Sequence, residues 1–199
     1  MLEQRIQQHF IDSADLKYQS AQTLSQPIAA AVQAVLACVT SGGKVLACGN
    51  GPSAAEAQQF AAFCVVGFER ERPELAALAL ATDGTLMAPA AGGNDADQQI
   101  ARQVRALGQA GDVLLALSVT GNDTNVLAAA EAAHERDMTV VVLTGRTGGK
   151  LATVLRETDG LISVPHDRAA RVREVHALVL HCLSDGVDTQ LLGEQESPI

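Results

Sequence analysis

The rhythm of residues 44–164 constrains this chain more than any other feature, because short apolar runs alternate there with segments of helical character. Lys44–Cys48, Leu75–Ala81, Asp112–Leu117, Met138–Leu143 and Gly160–Val164 read as five strands. Ser53–Phe68, Ala96–Leu107, Asp123–Arg136 and Lys150–Arg156 read as the helices between them, and Ala169–Leu192 as a long final helix. Strands that are apolar throughout have no face to give to water. Joined through helices, they predict a parallel sheet covered on both sides, an α/β fold. In such sheets ligands bind beyond the carboxyl ends of the strands.

Ahead of this core, residues 2–24 contain neither Gly nor Pro, and Ile6, Phe10, Ala14, Leu16, Tyr18 and Ala21 fall roughly along one helical face. Pro27 punctuates that helix, a second follows over Ile28–Thr40, and Ser41-Gly42-Gly43 stops it. A chain of 199 residues, 47% hydrophobic, suits one domain. The expected division is helices over 1–41, an α/β core over 42–193 and a tail over 194–199.

With 14 Lys and Arg against 23 Asp and Glu, the net charge is −9. That argues against a nucleic-acid or anionic-membrane surface, where phosphate contact needs clustered cations. The polar start Met1-Leu2-Glu3-Gln4-Arg5 and the lack of an apolar run near ~20 residues predict no signal peptide, no membrane span and a cytoplasmic location. Cys38, Cys48, Cys64 and Cys182 lack metal spacing and sit in apolar stretches, so they read as small buried hydrophobes.

Two loops stand at the ligand-binding ends of strands. The first strand runs into Gly49-Asn50-Gly51-Pro52-Ser53, and the third into Ser118-Val119-Thr120-Gly121-Asn122. Each joins glycine and hydroxyl residues to a helix start, where backbone N–H groups and the helix dipole favour an anion. Each also fits an ordinary capped turn, with Ser53 capping one helix and Asn122 or Asp123 the other. Two such turns after strands of one sheet shift the balance toward an anion site.

Several blocks together carry a resemblance over nearly the whole chain: Lys44–Gly51, Arg72-Pro73, Gln103–Gly108, Gly111–Leu115, Leu143–Gly145 with Gly148-Gly149, and Arg171–His176. They resemble the bacterial phosphoheptose isomerases, of the sugar-isomerase (SIS) type, and still more the DnaA initiator-associating branch, DiaA. The resemblance implies a flavodoxin-like SIS fold and a homotetramer with sites between subunits. The isomerases convert sedoheptulose 7-phosphate to glycero-manno-heptose 7-phosphate for lipopolysaccharide synthesis. The DiaA branch binds the replication initiator DnaA and promotes initiation.

In the isomerases a Glu on the helix after the first turn is the base. That Glu, a His four residues before it, and a Gln and a His on the last helix hold zinc. Carried onto this sequence, those positions are Phe63, Gln59, Arg173 and His181. Phe63 can neither take a proton nor bind a cation, and a guanidinium has no free lone pair. One retained ligand, His181, does not hold zinc tightly. Glu56, Gln58 and Glu174 lie nearby, but Glu56 and Glu174 are expected on other helical faces.

On the phosphate side, Asn50, Gly51, Pro52, Ser53, Ser118, Val119 and Thr120 follow the family pattern. Asp123 replaces a phosphate-contacting Ser, with Thr124 as a substitute hydroxyl and Arg173 as an offsetting charge. Asn94-Asp95 matches a family Asn-Asp pair by identity, although an ungapped alignment places Gly92-Gly93 there. His176 is expected in the core or an interface, and His9, His134 and His166 at the surface or in loops. Leu191-Leu192 are candidates for an exposed contact, with interior packing the safer expectation. The expected function is a non-catalytic, DiaA-like tetrameric adaptor for DnaA without a cofactor. The alternative is a sedoheptulose 7-phosphate isomerase, with zinc only in that case. A sugar phosphate remains possible as a ligand.

Overall fold

The computed structural model describes residues 1–80 and 96–194. The element order is α1 (Leu2–Thr40), β1 (Val45–Gly49), α2 (Pro52–Val66), β2 (Ala77–Ala79), a 3-10 turn (Ala96–Gln98), α3 (Gln99–Leu107), β3 (Val113–Ser118), α4 (Thr124–Glu135), β4 (Thr139–Gly145), α5 (Gly149–Val154), β5 (Gly160–Val164) and α6 (Ala169–Leu192). The strands form one parallel sheet in the order β2-β1-β3-β4-β5. This is the expected five-stranded, flavodoxin-like arrangement.

Side-chain alternation divides the core into two layers. Val45, Ala47, Val113, Leu115, Leu117, Val141 and Leu143 pack toward α1, α2 and α6. Leu46, Cys48, Leu114, Ala116, Val140 and Val142 pack toward α3, α4 and α5. The expectation of a sheet covered on both faces is met, and β1 and β3 are buried at every position.

The N-terminal segment departs from the expectation. α1 runs unbroken through Pro27. Proline removes one helical hydrogen bond and costs about 3 kcal/mol in a helix interior. Burial of Leu24, Ala31, Val32 and Val35 on either side of it outweighs that cost. The face also differs. Leu16, Ser20 and Leu24 are buried, while Ile6, Phe10 and Tyr18 lie open. No residue from 2 to 15 is fully buried within its own chain, although His9 and Ser13 bond to Arg171 and Glu174 of α6. Among the described residues, α1 is long and apolar enough on length and composition to cross a membrane, yet its second half belongs to the core.

Smaller corrections follow from local packing. His134 is buried and pairs with Asp159 at 2.7 Å, rather than lying at the surface. Cys182 is exposed, whereas burial pushes the Cys48 and Cys64 thiols up to about 12. Leu191 and Leu192 are exposed.

Candidate functional site

The sheet order places the site. The chain leaves β1 toward β2 on one side and runs β3-β4-β5 on the other, so β1 and β3 flank the switch point. Crevices open at the carboxyl ends of strands where the order reverses. The two turns singled out in the sequence meet there. They line a cavity of about 180 Å³ together with Asp123 and Arg173. Asn50 and Ser53 come from the first turn, and Ser118, Val119 and Thr120 from the second. A site for one water needs ~10–15 Å³, so the space admits a larger polar group.

Gly51 adopts φ +51° and serves as the N-cap of α2, with Pro52 in its first turn. The expected Ser53 cap is therefore displaced: Ser53 lies inside the helix and is buried beside the cavity. The second turn is fixed from below by Gly148-Gly149. A Cβ on Gly121 would stand 1.9 Å from the Gly148 carbonyl oxygen, so the two backbones touch where only glycine fits. Leu151 N–H donates to the Gly121 carbonyl at 2.9 Å, tying α5 to the same turn.

Asp123 occupies the N-cap position of α4, but its side chain makes no capping bond. Its carboxylate accepts from Asn50 Nδ2 at 3.0 Å and from the Ser118 hydroxyl. Asn50 and Asn125 exchange amide hydrogen bonds at 2.8 and 2.9 Å. Asn125 was not foreseen, and only its place in the first turn of the next helix could have signalled it. Thr124 does not replace the missing hydroxyl, because its Oγ1 donates to Asp97 at 2.7 Å and is exposed. Arg173 does share the cavity. Asn94 and Asp95 lie outside the described residues.

Glu56 corrects the expectation of another helical face. It stands one turn after Ser53, and burial pushes its carboxyl up to about 7. A side-chain hydrogen bond with Ser53 and the charge of Arg173 pull the other way. Glu174 does face elsewhere, accepting from Ser13 at 2.7 Å and Arg171 at 2.6 Å.

The raised Glu56 carboxyl has a stability consequence. Below pH 4.5 both folded and unfolded chains hold the proton, and nothing is lost. From 4.5 to about 7 the unfolded chain releases it first, so stability falls; above about 7 the loss is complete. Glu56→Gln is expected to remove that fall. The half-exposed position reduces the gain to about 1 kcal/mol at pH 8, with none at pH 4. Urea unfolding at both pH values checks it.

The family's zinc positions form a different arrangement here. Phe63 packs edge-on against Phe68, with centroids 4.9 Å apart, and against His181 at 5.7 Å. His181 and Phe68 rings lie 5.2 Å apart. Gln59 is exposed, and Arg173 lines the phosphate-side cavity. Phe63 has no donor atom, Arg173 is a fixed cation and Gln59 offers only a neutral amide, so these positions do not fit zinc. No group of three His, Cys, Asp or Glu suited to a metal occurs among the described residues. His176 is fully buried and donates from Nε2 to the Thr144 carbonyl at 3.1 Å. Burial pushes its pKa down to about 4, as suits a core residue.

Comparison with known proteins agrees with this architecture. The SIS domain family model matches residues 9–145. A phosphoheptose isomerase of Methylibium petroleiphilum is 62% identical over 196 residues, covering 98% of each chain. One of Neisseria meningitidis is 48% identical, over 96% of this chain and 97% of its own. The solved phosphoheptose isomerase of Neisseria gonorrhoeae superposes with a TM-score of 0.88 at 46% identity, over 95% of this chain and all of that one. That of Francisella tularensis gives 0.89 at 39% identity, over 95% and 99%. This chain belongs to the SIS-domain phosphoheptose isomerase family.

Proposed function

We propose that this chain binds a sugar phosphate by its phosphate end in the cradle between the β1 and β3 turns. The observation that carries the proposal is the meeting of the two turns at the switch point, around one cavity that also receives Arg173. The finer reading is isomerisation of D-sedoheptulose 7-phosphate. It is supported by relatives named phosphoheptose isomerase at 46–62% identity over at least 95% of this chain. This reading now stands ahead of the adaptor function expected from sequence.

An aldose–ketose isomerase needs a base that carries a proton between adjacent carbons, and a group that polarises the carbonyl. Glu56, poised near neutral pH, is the proton carrier on this reading. Arg173, on the same cavity as the two turns, is the cation for the ligand's phosphate. No step runs through zinc.

The second reading, a non-catalytic DiaA-like adaptor for DnaA, is favoured by one observation. The position that the resemblance assigns to the base is Phe63, packed among Phe68 and His181. A cytoplasmic homotetramer suits both readings. The exposed side chains of Leu2, Ile6, Phe10 and Ile11 on the first turns of α1 support assembly with other copies. The net charge of −9 supports a protein or small-molecule partner over direct nucleic-acid contact.

Thermal melts with millimolar D-sedoheptulose 7-phosphate test the binding, since a ligand of the native state raises the melting point. The same samples, with and without added zinc, are assayed for conversion. Stabilisation with conversion supports the isomerase. Stabilisation without conversion, joined by capture of DnaA at micromolar concentration, supports the adaptor. Absence of stabilisation by any sugar phosphate sinks the proposal.

A further inference from the structure

The cradle already contains an anion of its own. Asp123 leaves its capping role unused and turns its carboxylate across the gap between the two turns. There it takes the Asn50 amide with one oxygen and the Ser118 hydroxyl with the other. Gly121 N–H in turn donates to the Ser118 oxygen at 2.9 Å, so the hydroxyl is held in that direction. Thr124, the hydroxyl next along the chain, is committed to Asp97. A carboxylate with charge-assisted bonds to these donors fills the role an incoming phosphate would take.

We infer that Asp123 is a resident competitor for ligand phosphate, which lowers the affinity of this cradle for phosphate monoesters and makes release of the Asn50 and Ser118 donors a condition of binding. The inference rests on the sugar-phosphate reading of the site. A phosphate that enters must displace the carboxylate from these donors, and it then meets a like charge beside it. Arg173 on the same cavity offsets part of that repulsion and keeps the site open to anions. Asp123 is thus a specificity-determining residue: it weights recognition toward ligands whose sugar portion supplies binding energy, and against phosphate alone.

Isothermal titration of wild type, Asp123→Asn and Asp123→Ser tests this, with D-sedoheptulose 7-phosphate and inorganic phosphate as the two probes. Asn keeps the shape, loses the charge and can donate to phosphate; Ser guards against a folding defect in the first variant. Both variants are expected to bind each probe at least tenfold more tightly than wild type, with the larger gain for inorganic phosphate. Equal or weaker binding by variants that melt cooperatively overturns this inference and leaves the proposed function standing. Absence of binding by all three proteins overturns the proposed function and this inference with it.

Discussion

Gly121→Ala is expected to cost about 3 kcal/mol or more and to weaken sugar-phosphate binding. Two independent penalties meet at this residue. Its φ of +68° lies in the left-handed region, where a non-glycine residue costs on the order of 1–3 kcal/mol. An added Cβ would also fall 1.9 Å from the Gly148 carbonyl oxygen, which is backbone and cannot rotate away. Relieving such overpacking costs typically ~1–3 kcal/mol more. The movement that relieves it lifts the Ser118–Asn122 turn, the half of the cradle that carries Ser118 and Thr120. Gly42→Ala is the control. It shares a positive φ, +80°, but its Cβ would meet nothing within 4 Å. Urea unfolding of both variants separates strain from contact, and equal losses would remove the close approach from the account.

The same contact shows how far the sequence could be read. Gly148-Gly149 was visible as a turn and as part of a family pattern, but not as the partner of Gly121, because 27 residues separate them. Strands and helices were legible since β1, β3 and β4 are buried almost throughout, and continuous burial forces continuous apolar character. β5 and α6 fell on their expected bounds. The unbroken α1 was not legible, because local chemistry at Pro27 says stop and only tertiary packing against α6 and the sheet says continue.

At the site, identities were readable and orientations were not. Asn50, Ser53, Ser118, Thr120, Asp123 and Arg173 do converge. That Asp123 would spend its carboxylate on Asn50 and Ser118 depends on the side-by-side register of β1 and β3, in which Gly49 stands opposite Leu117. Glu56 was misplaced by its face, although its spacing of three from Ser53 was the available signal. His134 was misread because its partner, Asp159, is 25 residues away.

Arg72→Ala is expected to cost about 3–5 kcal/mol, read as a lower urea midpoint at unchanged m-value. In the sequence Arg72 belonged only to a family pattern, yet it ties together the helices that bear the candidate site. Its Nε donates to Asp188 Oδ1 on α6 at 2.5 Å, with both side chains 2% exposed. Its remaining nitrogens donate to the Cys64 carbonyl at 2.7 Å and the Phe63 carbonyl at 2.8 Å, near the end of α2. The guanidinium thereby adds charge-assisted bonds to carbonyls that also accept from Gly67 and Leu75 N–H, and it locks α2 to α6. Removing it strands a buried carboxylate whose Oδ2 already has no partner. An unpaired buried charge is costlier than a missing pair, so the double variant Arg72→Met, Asp188→Leu is expected to be more stable than Arg72→Ala alone. Phe63 should respond as well, since its carbonyl is held by Arg72 while its ring rests on Phe68 and His181. Broadened His181 ring signals in the Arg72→Ala protein would report that loosening. A loss below about 1 kcal/mol would mean that the pair only breaks even against its desolvation and that apolar contacts alone join α2 to α6.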